Sequence, residues 1–116
     1  HAIDLDNLAL AHQNLKQYLE ASELQLRALK VTNELKSGQY LSGTKGTILH
    51  NLGSSYVELG RYKDAEKYFK ESIAVLTSVG REVEPWRVNT AKKSYADLLR
   101  RTGRTEEAKK LEAPAL

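Results

Sequence analysis

Leu49, Leu52, Gly53 and Tyr56 stand at i, i+3, i+4 and i+7, a spacing that lines one face of a helix with apolar or small groups. Ala65, Phe69, Ile73 and Leu76 carry the same period on a second helix, and Ala21, Leu24, Ala28, Val31 and Leu35 carry it earlier in the chain. Gly60 and Gly103 fall where a left-handed residue closes one helix and opens a tight turn. Ser37-Gly38 and Val79-Gly80 are expected to end the second helix of each pair, and Pro85 suits the first turn of the next. The pattern predicts helices over about 2–15, 18–36, 45–59, 62–79, 86–101 and 105–112. Val, Ile and Thr are scattered, so no strand is expected and the fold class is all-α.

The pattern also repeats. The anchor is Leu52-Gly53, Tyr56, Gly60, Tyr62, Ala65 and Phe69; shifted back by 44 positions it meets Leu8-Ala9, His12, Tyr18 and Ala21. Shifted forward by 43 it meets Tyr95-Ala96, Leu99, Gly103, Thr105 and Ala108. Ala9, Gly53 and Ala96 are small where a neighbouring helix must approach closely. Helix pairs of this kind cannot bury their faces alone and are expected to stack, each on its neighbour, into a solenoid. One domain over 1–116 is expected, with repeats at approximately 1–44, 45–84 and 85–116.

Composition narrows the chemistry. The chain has 41% hydrophobic and 28% charged residues, the balance of a folded protein rather than a disordered tail. Without cysteine there is no disulfide or thiolate site, and His1, His12 and His50 show no ligand spacing, so no metal and no cofactor are expected. His12 replaces an aromatic and is expected to pack; Trp86, beside Pro85, is expected to pack one helix on another. No nucleophile stands beside a base and no glycine-rich phosphate loop occurs, so no enzyme is expected. The net charge of +3 lies wholly in residues 81–116, which hold nine basic and six acidic groups. Lys92, Lys93, Arg100, Arg101, Arg104, Lys109 and Lys110 read as a solvated face complementing helix ends. Because no aromatic residues interleave with them, nucleic acid is not an expected partner. No apolar run is long enough to span a bilayer, so no membrane insertion is expected. The chain reads as soluble, cytoplasmic or secreted after leader removal, with its compartment otherwise open.

The run from Asn51 to Glu66, Asn-Leu-Gly-Ser-Ser-Tyr-Val-Glu-Leu-Gly-Arg-Tyr-Lys-Asp-Ala-Glu, resembles the tetratricopeptide repeat signature. The period resembles the longer repeats of kinesin light chains. That resemblance implies a right-handed superhelical solenoid of three antiparallel helix pairs, whose concave groove is lined by the first helix of each pair. It implies a protein or peptide partner held there by Asn7, Leu10, Asn14, His50, Asn51, Ser54, Lys93, Asp97, Arg100 and Arg101. Asn7 and Asn51 fall where an amide can both donate to and accept from a peptide backbone. The clamp that grips a chaperone's C-terminal carboxylate is not expected, since Asp6 and Leu10 occupy its positions.

Two functions therefore stay open at the level of sequence. One is a non-catalytic scaffold binding a partner peptide or helix in its groove. The other is a structural homo-oligomer stacking head-to-tail into filaments or tubes through Ile3, Leu5 and Leu8 at one end and Leu98, Leu99 and Leu111 at the other.

Overall fold

Six helices follow one another, with no strand among the described residues, which in this computed structural model are 2–34, 39–78 and 85–112. They are α1 (Ala2–Asn14), α2 (Tyr18–Glu34), α3 (Gln39–Glu58), α4 (Tyr62–Ser78), α5 (Pro85–Arg101) and α6 (Thr105–Glu112). The expected terminators Ser37-Gly38 and Val79-Gly80 lie outside the described residues.

One chemical device ends the first helix of each pair. The residues at Lys16, Gly60 and Gly103 take left-handed backbone, with φ of 60°, 76° and 80°. Their N–H groups donate to Gln13, Val57 and Arg100 carbonyls at 2.9, 3.0 and 3.1 Å, while Gln17, Arg61 and Arg104 N–H reach back to His12, Tyr56 and Leu99. This is the Schellman arrangement, which satisfies carbonyls the helix end would otherwise leave bare. Lys16 holds the position that glycine holds twice, at a steric cost glycine does not carry.

The largest departure from the expected boundaries is α3, which begins at Gln39 rather than near 45. Gly43 and Gly46 weaken the sequence signal because glycine is a poor helix former. Tertiary packing overrides that penalty. A Cβ on Gly46 would stand 2.4 Å from Leu76 Cγ and Cδ2, so the bare backbone is what lets α3 lie on α4.

The core follows the repeat. Ala21, Ala65 and Ala108 are fully buried at equivalent positions of the three second helices. The main cluster gathers Leu52, Tyr56, Phe69, Tyr95, Leu98 and Leu99 between pairs two and three. Each helix packs on its successor, and α3 also touches α1 and α5. The second helices make fewer such approaches to one another, which leaves α1, α3 and α5 on the inner side of the curve.

Candidate functional site

The three inner helices are stitched together by polar side chains. Asp6 of α1 is only 8% exposed, and both its carboxylate oxygens accept from Asn51 Nδ2 of α3, at 3.3 and 3.2 Å. Gln13 Nε2 donates to the Asn51 carbonyl at 3.0 Å and to Ser55 Oγ at 2.6 Å. On the other side of α3, His50 Nε2 lies 2.7 Å from Ser94 Oγ of α5, and the imidazole packs at 5.9 Å from the Phe69 ring. Arg87 of α5 donates to the Gly43 carbonyl and to Thr47 Oγ1. Burial pushes the Asp6 carboxyl up, against the hydrogen bond from Asn51 that holds it down. Burial likewise pushes the His50 imidazole down, with its hydrogen bond to Asn51 acting the other way. Asn51 and His50 thus tie α3 to α1 through Asp6 and to α5 through Ser94.

Asn51 has a part in this ladder: its Nδ2 donates to Asp6, so removing the amide would leave a buried carboxylate without that partner. Below the ladder, Ser55 Oγ donates to Gln25 Oε1 at 2.8 Å, and Gln25 is fully buried. Gln25 Nε2 has no hydrogen-bond partner among the described residues. Neither residue was singled out by pattern. Gln25 stands where the middle repeat has Phe69, and that polar-for-aromatic exchange is the signal that marks it.

A cleft of about 170 Å³ opens between α3 and α5. Its apolar lining is Phe69, Leu98 and Val57, and Ser54, Glu58, Ser94, Asp97 and Arg101 complete it. Pockets that enclose a whole cofactor run to about 300–1,000 Å³, so this one fits a side chain of a partner. It brings together Ser54, Asp97 and Arg101 of the expected site. Asn7 and Asn14 are exposed and Leu10 half-buried on α1, away from this cleft. Lys93 is exposed on α5, and His50 and Asn51 are half-buried in the ladder. Arg100 pairs with Asp97 at 3.3 Å and with Glu112, which draws it toward α6.

The residues expected at an end-to-end contact differ in exposure. Leu98 and Leu99 are 3% and 2% exposed and belong to the main core cluster, Leu98 beside Phe69 of α4 at the cleft. Leu111 and Leu5 are half-buried, while Ile3 and Leu8 are about half exposed. The outer side of α6 is charged, with Glu106, Glu107, Lys109, Lys110 and Glu112 all exposed. Trp86, expected to pack, is instead 59% exposed at the start of α5, with the Arg87 guanidinium 5.2 Å from its ring centroid. His12 is half-buried and donates from Nδ1 to Gln17 Oε1.

The basic groups of pair three meet carboxylates. Arg104 bridges Glu66 and Glu107, and Glu66 also accepts from the Tyr95 hydroxyl at 2.9 Å. Burial and that carboxylate push the Tyr95 phenol up to about 12. Among the described residues, no group of three or more His, Asp or Glu stands where it could hold a metal ion. No described helix is long and apolar enough to cross a membrane.

Comparison with known proteins places this geometry. The tetratricopeptide repeat family model matches residues 2–78 and again 44–115, the two matches overlapping on the middle pair. The chain is 37% identical over 62 residues to "Tetratricopeptide repeat protein 19 homolog, mitochondrial" of Drosophila melanogaster. That match spans 53% of this chain and only 16% of the fly protein. Two crystal structures of the putative kinesin light chain nearly identical TPR-like repeats of Podosopora anserina, one a Q17M variant, share the fold. The variant superposes with a TM-score of 0.75 at 20% identity over 93% of this chain, the other with 0.77 at 20% over 96%. This chain spans about half of each, 50% and 53%.

Proposed function

Because the chain belongs to the tetratricopeptide repeat family, whose members generally mediate protein–protein interaction and are typically non-catalytic, we propose that it binds a partner peptide in the groove of α1, α3 and α5. The observation that carries this reading is the cleft between α3 and α5. It sets an apolar floor of Phe69 and Leu98 beside the hydroxyls of Ser54 and Ser94 and the charges of Glu58, Asp97 and Arg101. Such a cleft suits one side chain with an aliphatic stem and a polar end, while the flanking side chains hold an extended main chain. The ladder supports the reading from below. It fixes the spacing of the three inner helices before a ligand arrives, which lowers the ordering cost of binding.

The test is to select binding peptides from a random library and then fill the cleft. Ser54→Arg is expected to weaken the selected peptides at least about tenfold, an effect on the order of 1.4 kcal/mol. Lys63→Ala, on the exposed side of α4, should leave binding unchanged. Both variants should melt like the parent. Peptides that bind Ser54→Arg undiminished would overturn the groove reading.

A further inference from the structure

Exposed large apolar side chains gather on pair one. Of the seven among the described residues, Ile3, Leu8, Leu15, Leu19 and Leu26 lie on α1, α2 or the turn between them. Leu19 and Leu26 are 52% and 38% exposed on one outward face of α2, two helical turns apart. The repeat supplies its own control. The equivalent positions of α4 hold Lys63 and Lys70, both exposed, so stacking of helix pairs does not call for leucine there.

The charges around these leucines are arranged by sign. Exposed Glu20 and Glu23 lie in the first half of α2, and exposed Arg27 and Lys30 in the second. By helical geometry all four project along the same flank of the Leu19–Leu26 stripe. In an antiparallel two-fold pair of helices, like flanks face each other. We infer that the outward face of α2 is a self-complementary docking surface for α2 of a second copy of this chain.

The register follows from the sequence positions. When the leucines of two antiparallel copies interleave, Glu20 comes level with Lys30 of the second copy and Glu23 with Arg27 of the second copy. One register serves both pairs, and symmetry repeats each of them. In a parallel two-fold arrangement this flank would face the opposite flank of the second helix, and neither charge pair could form. The contact is isologous and closes at a dimer, unlike a head-to-tail chain, which would bring apolar residues of pair one against the charged outer side of α6. It does not depend on the groove reading, since α2 lies outside the inner helices.

The experiment is sedimentation velocity of the untagged chain across a wide concentration range. A monomer–dimer equilibrium is expected, with no larger species. Leu19→Lys with Leu26→Lys, the residues repeat two already carries, should weaken the dimer at least about a hundredfold without lowering the melting temperature. Glu23→Arg should weaken it about tenfold by repulsion from Arg27 of the second copy, and adding Arg27→Glu in the same chain should restore it. A monomer at every concentration would overturn the inference. So would open-ended polymers, a dimer unaffected by the lysine pair, or no recovery in the charge swap.

Discussion

Gly53→Ala and Gly43→Ala make the same chemical change in the same helix, and the structure assigns them opposite signs. Alanine in a helix interior is favoured over glycine by about 1 kcal/mol, so propensity alone would stabilise both variants. At Gly53, however, the new Cβ would stand 2.7 Å from Phe69 Cδ1 and Cε1 and 3.1 Å from Cζ. Carbon atoms rest at about 3.5–4.0 Å, so the ring would have to move by roughly 1 Å. It has little room. Phe69 is 1% exposed, with the rings of Tyr95 and His50 centred 6.3 and 5.9 Å away. Overpacking of this kind costs about 1–3 kcal/mol, which outweighs the propensity gain and leaves a net loss of about 1 kcal/mol. At Gly43 the nearest atoms are Arg87 Nη1 and Cζ at 3.8 and 3.9 Å, an ordinary contact, so the propensity gain survives. Thermal melts followed by circular dichroism should show Gly43→Ala rising and Gly53→Ala falling, with midpoints separated by roughly 6–10 °C. Ala9 and Ala96 are tolerated at the repeat-equivalent positions, where Phe69 is matched by Gln25 and Glu112. If the two variants shift together, α3 does not approach Phe69 as described, and the packing argument fails.

Lys16→Gly should raise stability by up to about 1 kcal/mol, because it relieves a left-handed lysine at a turn that uses glycine elsewhere; a loss in urea denaturation would contradict this. His50 has a depressed pKa in the fold, so its contribution is present above the unfolded value of 6.5 and lost as pH falls through the folded value. His50→Gln, which cannot charge, should therefore show a smaller drop in melting temperature between neutral and mildly acidic buffer. Asp6, with a raised pKa, works in the opposite direction, and its stabilising effect on acidification should remain in that variant. The double variant Gln25→Leu, Ser55→Ala removes a buried orphan donor together with its neighbour, and should match the parent or exceed it by about 1 kcal/mol. A loss above about 2 kcal/mol in chemical denaturation would show that this pair holds α2 to α3.

The repeat register, the helical class and the three turns were legible in the chain itself, because they depend on interactions within a few residues. A 3.6-residue apolar period, a small residue at each crossing, and glycine or its substitute at a helix end carry their own physical meaning wherever they occur. The first copy illustrates this, since Lys16 stands 44 positions before Gly60 in the repeat and takes left-handed backbone although its side chain argues against that conformation. What tertiary structure decided depends on which helix lies against which. The early start of α3 needed Leu76 to be seen beside Gly46. The enclosure of Leu98 and Leu99 needed the neighbours of α5 to be seen packed on it, because an apolar side chain reads the same in sequence whether it is covered or bare. The commitment of Asn51 to Asp6 joins residues 45 positions apart. No local pattern distinguishes an amide that waits for a peptide from one already holding a carboxylate.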